Sequence, residues 1–191
     1  MRTIGTVARG VRAPIIREGD NIAEVAAASV MEAWKEASIE PRDRDVVAVT
    51  ESVVARAQGN YATLDQIAKD VREKTGGGTV GVAFPILSRN RFSLLLRGMA
   101  MGCKKIVLLL SYPSDEVGNG LVDWDKLDAA GVDPYRDVLT LAQFREKFGA
   151  AVHPFTGVDY IDFYSGIIKD AGAEVEVIFG NRVQTLLDYT D

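Results

Sequence analysis

Hydrophobic positions recur along this chain in two rhythms, one of strands and one of helices, and the two take turns. Val46–Val49, Val80–Phe84 and Ile106–Leu110 are apolar runs of strand length, and Val175, Val177 and Phe179 alternate. Between them lies helical spacing. Ile22, Val25, Ala26, Ala33 and Ala37 share one face, and Leu64, Ile67, Ala68 and Val71 share another. Tyr160, Phe163, Tyr164, Ile167 and Ile168 form a third. A helix over Arg89–Met101 differs, because Phe92, Leu94, Leu95, Leu96, Met99 and Ala100 leave it apolar nearly all round, which predicts deep burial. Residues 2–16 carry a weaker strand pattern interrupted by Pro14. Strands alternating with helices predict an α/β fold with a mixed, largely parallel sheet and flanking helices.

The boundaries are marked by capping chemistry. Asn21 with Glu24, Thr63 with Gln66 and Thr140 with Gln143 read as capping boxes, and Asn181 with Gln184 caps a last helix. Gly59, Gly102, Gly149 and Gly172 close helical pieces. Gly76-Gly77-Gly78 reads as a plain turn. A phosphate loop runs from strand to helix and carries Gly-Lys-Ser/Thr, whereas these glycines follow a helix and precede a strand. From Tyr112 to Asp137 the periodicity fades into a long irregular connection, with at most a short helix near Trp124. Connections that long are usually functional or mobile. The chain reads as one domain over 1–191. It stops shortly into a helix where another strand is expected, which fits a piece of a longer chain as well as a domain ending on a helix.

Composition narrows the classes. With 191 residues, 47% hydrophobic and 26% charged, the chain matches an ordinary soluble globular protein. A net charge of −5 argues against non-specific nucleic-acid binding. The single cysteine, Cys103, excludes an internal disulfide and fits a reducing compartment, so a cytoplasmic location is expected. The longest apolar run is strand-length rather than membrane-length, so no membrane partner is expected.

Three places could carry chemistry. Ser88-Arg89-Asn90-Arg91 opens a predicted helix, where unpaired N–H groups and the helix dipole make arginines unfavourable by roughly 0.3–1 kcal/mol each. Either a phosphate or carboxylate ligand reverses that cost, or the arginines pair with nearby acids. Thr50, Glu51 and Ser52 follow the Val46–Val49 run, and Arg56 lies one turn on. Ligands of open α/β sheets sit beyond the carboxyl ends of strands, so this group is either a site wall or a helix cap with a solvated arginine. Asp115 and Glu116 follow the most hydrophobic strand and are either metal ligands or solvated loop acids. Catalytic residues stay unassigned. His153 and Cys103 together make neither a zinc site nor a thiol catalyst, and no Gly-x-Ser-x-Gly elbow is present.

The text Arg17-Glu-Gly-Asp20, Asp43-Arg-Asp-Val-Val-Ala-Val-Thr50 and Ser52-Val-Val-Ala-Arg-Ala-Gln-Gly59 resembles the coenzyme F420-0:L-glutamate (γ-glutamyl) ligase family. Phe84-Pro-Ile-Leu-Ser-Arg-Asn-Arg-Phe92, Ser111-Tyr-Pro-Ser-Asp-Glu-Val-Gly-Asn119 and His153-Pro-Phe-Thr-Gly-Val-Asp159 are shared with a bacterial branch of it, of which this looks like the N-terminal domain. The resemblance implies a dimeric enzyme in which GTP, with Mg2+ or Mn2+, activates a carboxylate of an anionic small molecule as an acyl phosphate, which the L-glutamate amine then displaces. The family pattern Ser-Lys-x-Val-Ser-Lys-Ala-Glu-Gly is altered here, with Ser52, Ala55, Arg56 and Gln58 at the lysine, serine, lysine and glutamate positions. A non-catalytic nucleotide- or anion-binding domain is therefore the alternative. A third reading is an interaction domain that docks through the aromatic helix Tyr160–Ile168.

Overall fold

The alternation of strand and helix holds from residue 63 onward and fails before it. The computed structural model describes residues 5–88, 92–153 and 155–190. The chain divides into two units, Met1–Ala62 and Thr63–Asp191.

The first unit contains two described helices, α1 (Ile22–Glu36) and α2 (Glu51–Ala57). Asn21 accepts from the Glu24 amide at 3.4 Å, but the return bond of the expected capping box is not formed. Asp20 closes the lead-in by accepting from the Arg17 amide at 2.6 Å, and the Gly19 amide reaches the Ala57 carbonyl at 2.8 Å. The strand expected at Val46–Val49 does not form, nor does one over the described part of 2–16. Val46 is 87% exposed. An apolar run becomes a strand only where a neighbour takes its N–H and C=O groups and a second layer covers it. The described part of this unit offers neither, and Ala57 is its one buried hydrophobic residue.

The second unit runs α3 (Leu64–Thr75), β1 (Thr79–Ala83), α4 (Phe92–Met101), β2 (Lys105–Leu110), α5 (Trp124–Ala129), β3 (Leu139–Thr140), α6 (Leu141–Phe148), α7 (Tyr160–Asp170) and β4 (Glu174–Phe179). A 3-10 turn, Val183–Asp188, follows. The sheet order is β1-β2-β4-β3, with β1, β2 and β4 parallel and the two-residue β3 antiparallel to β4. The fold is thus α/β with a mixed, largely parallel sheet and flanking helices.

Strand β2 sits centrally and is buried on both faces, from Ile106 through Leu110. Ile106, Leu108 and Leu110 join Leu96 and Ala100 of α4 and Tyr164 and Ile168 of α7, whereas Val107 and Leu109 join Ile178 and Leu186. Burying each such side chain is worth about 1.5–3 kcal/mol, so this one strand is a major source of the unit's stability.

The capping boxes at Thr63 and Thr140 form as the spacing requires. Helix α4 is not buried all round. Leu96, Gly98 and Ala100 are covered, but Leu94 and Leu95 are 58% and 45% exposed. α3 and α7 pack against α4 and leave a third side bare. The α3–α4 approach depends on small residues: a Cβ at Gly102 would stand 2.5 Å from the Ala68 carbonyl oxygen. The expected strand alternation in β4 also breaks, because Val177, Ile178 and Phe179 are all buried, with covering layers on both sides. Ile161, absent from the predicted α7 face, is fully buried as well.

Arg145 of α6 binds Asp159 through both carboxylate oxygens, at 2.6 and 3.0 Å. The same carboxylate caps α7 through the Ile161 and Asp162 amides and accepts from Ala151. Burial pushes the Asp159 carboxyl up, but the Arg145 and amide bonds outweigh it and hold the group below its ordinary range. A carboxyl with a lowered folded value contributes stability above the ordinary carboxylate range, and that contribution disappears as pH falls through the folded value. Asp159→Asn is expected to cost about 1–3 kcal/mol at neutral pH. Urea midpoints of the two proteins should converge on acidification, and a gap that is constant with pH would show that the charge does not matter.

Candidate functional site

A cavity of about 240 Å3 opens beyond the carboxyl ends of the three parallel strands. Phe84 follows β1, Ser111 follows β2 and Asn181 lies just past β4, while Ser114, Asp115 and Glu116 come from the connection after β2. This is where ligands bind in open α/β sheets. The volume falls below the roughly 300–1,000 Å3 of sites that engulf a drug-sized ligand, so it suits one polar end of a larger molecule.

Asp115 organises the cavity. It is one of two buried polar residues among those described, at 7% exposure. Oδ1 accepts from the Val117 and Asn119 amides at 3.1 and 2.8 Å, shaping its own loop. Oδ2 accepts from the Leu87 amide at 2.9 Å and from the Asn119 side chain at 2.7 Å, tying that loop to the segment after β1. A carboxylate offers about four acceptor positions, and these four bonds fill them. Glu116 differs: it is exposed, lines the cavity and has no hydrogen-bond or ion-pair partner among the described residues. The hydroxyls of Ser111 and Ser114 are similarly free to meet a ligand.

Asn181 does not cap the last helix as its spacing with Gln184 suggests. Its side chain accepts from the Tyr112 amide at 3.2 Å and donates to the Tyr112 and Pro134 carbonyls at 2.5 and 3.0 Å. The segment that follows is a 3-10 turn with Arg182 at its N-cap position and no side-chain capping bond. Asn181 therefore fastens the ends of β2 and β4 to the 112–137 connection. The Tyr112 hydroxyl extends that fastening to the Asp137 carbonyl at 2.7 Å. Burial, aided by Asp137 and Asp133, pushes this phenol up to about 12.

Phe84 holds a φ of 47°, the left-handed region that side chains avoid. Such a conformation costs about 1–3 kcal/mol and persists where surrounding bonds over-determine it. Its amide bonds to the Leu109 carbonyl at 2.9 Å. Four residues on, the Ser88 amide donates to the Tyr164 hydroxyl at 2.6 Å. Arg89, Asn90 and Arg91 lie outside the described residues.

The other expected site residues belong to the first unit. Thr50 is the N-cap position of α2 without a side-chain capping bond, Glu51 opens the helix, and Ser52 and Arg56 are exposed on it. His153 is structural: its Nδ1 accepts from the Phe155 and Thr156 amides at 3.3 and 3.2 Å, which fixes the turn. Burial pushes the Cys103 thiol up, and it donates to the Met99 carbonyl at 3.3 Å, as an inert core residue would.

Among the described residues, no three or more His, Cys, Asp and Glu side chains gather as a metal set. No helix among them is long and apolar enough to cross a membrane.

Sheet topology and cavity together define an α/β protein with a polar cavity at its strand ends. The sequence profile of the family described as F420-0:Gamma-glutamyl ligase matches residues 10–139, and the chain belongs to that family. Ligase function on small-molecule substrates follows from membership at that level. No curated protein and no solved structure matches the chain. The matched stretch includes Thr50–Arg56, Ser88–Arg91, Asp115 and Glu116 but not Asn181.

Asp115→Asn places an amide donor against backbone donors and should cost about 2–4 kcal/mol in urea unfolding. A loss below about 0.5 kcal/mol, the scale of an ordinary surface change, would refute its role as the tie of the cavity.

Proposed function

We propose that the protein is a nucleotide-dependent amide ligase that adds L-glutamate to an anionic, phosphate-bearing small molecule. Family membership carries the reading, and we assign the reaction to the polar cavity at the strand ends, whose lining supports it. A carboxylate oxygen of the acceptor attacks the γ-phosphorus of GTP, and the bond to the departing GDP breaks. The resulting acyl phosphate meets the glutamate amine, which forms the amide bond as phosphate leaves and the nitrogen gives up a proton. Such chemistry needs positioning and neutralisation of charge above all.

Ser88, Arg89, Asn90 and Arg91 are assigned to phosphate or carboxylate binding, and Thr50, Glu51, Ser52 and Arg56 to substrate or nucleotide contacts. The donor set near the cavity bears on the metal. Asp115 has no acceptor position to spare, so Glu116 is the carboxylate that remains, with Ser111 and Ser114 beside it. Mg2+ is commonly held by one or two carboxylates with water and substrate phosphates, so a single free Glu116 fits that ion. Bound there, Mg2+ or Mn2+ would neutralise phosphate charge.

Thermal melting tests the reading, because ligands that bind only the folded state raise the midpoint. GTP with Mg2+ or Mn2+ at a hundredfold its Kd should raise it by about 5–10 °C. Glu116→Gln should remove the metal-dependent part of the rise. No shift with GTP or ATP, with or without metal, would overturn the assignment.

A non-catalytic binding domain is the second reading, favoured by Ser52, Ala55 and Gln58 in the altered family pattern. It predicts the same melting shift with no amide product.

A homodimer in the cytoplasm completes the proposal. Val46, Val47 and Val49 expose apolar side chains on backbone without strand partners, a surface suited to pairing with a second copy. Sedimentation should give twice the chain mass, and Val47→Lys should shift it toward the monomer. A monomeric wild type would refute the pairing.

A further inference from the structure

The segment between the strained Phe84 and Ser88 cannot hold itself. Pro85 has no N–H, and Ile86 and Leu87 carry no polar side chain, so its backbone groups must be tied from outside. Three residues from distant parts of the unit do this, one of them Asn119, whose side chain donates to the Leu87 carbonyl at 3.5 Å. Asp115 takes the Leu87 amide at 2.9 Å. The hydroxyl of Tyr164, on α7, accepts from the Ser88 amide at 2.6 Å. It also stands 3.2 Å from the Ile86 carbonyl and 3.1 Å from the Ser88 carbonyl, and it has one proton to donate to either. One phenol thus lies within hydrogen-bonding distance of backbone groups on both sides of Leu87.

The phenol is well placed to set a position rather than follow one. Its ring is fully buried and meets Phe92 edge-on at 5.7 Å. Burial pushes the hydroxyl up to about 12, against the lowering effect of the Ser88 amide, with Tyr160 and Asp115 adding to the rise. The group therefore keeps its proton, and with it its donated bond, across the whole neutral range. Phe84 forms one wall of the cavity, so whatever fixes 84–88 also fixes that wall.

We propose that Tyr164 is a positioning residue of the ligase site, fixing the strained turn 84–88 and the Phe84 wall in the form that accepts substrate. It touches no reacting atom. The assignment of this cavity as the ligase site is the reading proposed above, on which the inference rests.

Tyr164→Phe keeps the ring packing and deletes only the hydroxyl. Hydrogen–deuterium exchange on the ligand-free full chain should show the Leu87 and Ser88 amides losing protection while Ile106–Leu110 stay protected. Tyr160→Phe removes a neighbouring phenol that bonds no part of the segment and should leave both regions unchanged. In steady-state amide synthesis, kcat/KM of Tyr164→Phe should fall about tenfold or more, the scale of a small misplacement near a site. Unchanged exchange at 87–88 overturns the inference. So does looser exchange with wild-type kcat/KM, which would make the bonds merely structural. Loss of protection at Ile106–Leu110 also overturns it, since the hydroxyl would then hold the core and not the turn. A wild type that neither shifts with nucleotide nor makes amide removes the proposed function and the positioning role with it. Exchange at 87–88 then still decides whether Tyr164 ties the turn.

Discussion

Water never reaches Ile106–Leu110 of strand β2, and the second unit is arranged around that exclusion. A central parallel strand buried on both faces needs a partner strand on each side and a layer above and below. β1 and β4 supply the first, α4 and α7 one layer, and the 3-10 turn with Leu186 part of the other. Once those elements surround β2, the carboxyl ends of three parallel strands are forced side by side. The cavity is a consequence of that arrangement before any of its polar residues is considered.

Polar residues then decide its shape. Strand ends leave backbone groups without ladder partners, and buried ones cost free energy unless some other group takes them. Asp115, Asn181 and Tyr164 are the groups that do so, each reaching across from a different element. Asp115 is saturated, and this divides the Asp115–Glu116 pair into one residue that builds the cavity and one available to a ligand.

The sequence reveals the second unit well and the first poorly, for a physical reason. Capping boxes at Thr63 and Thr140 are local, three-residue chemistry, and the structure repeats them as read. Continuous hydrophobicity in Ile106–Leu110 correctly marks a strand buried on both faces. The same kind of run at Val46–Val49 does not, because burial and pairing depend on what lies opposite, which a local pattern does not contain. Leu94 and Leu95 mislead in the same way. Applying the strand-end rule to β2 and β4 singles out Ser111 and Asn181, the residues just past them; applied to Val46–Val49 it points at Thr50–Ser52 instead. Tyr164 reads from sequence as core on an aromatic stripe, since only the fold brings its hydroxyl to residues 86–88. Asn181 reads as a cap, because its partners lie about seventy and fifty residues away.

The position of β4 in the chain has a consequence for how the protein is made. β2 must wait for a partner strand that begins at Glu174 and for Asn181 beyond it. During synthesis the ribosome therefore releases one edge of a fully apolar strand well before the segment that will cover it. Unpaired hydrophobic edges of this kind are where nascent chains associate wrongly. The cavity, whose last wall is Asn181, cannot take shape until the chain has been made past that residue, so the apolar edge of β2 stays open through the interval between β2 and β4.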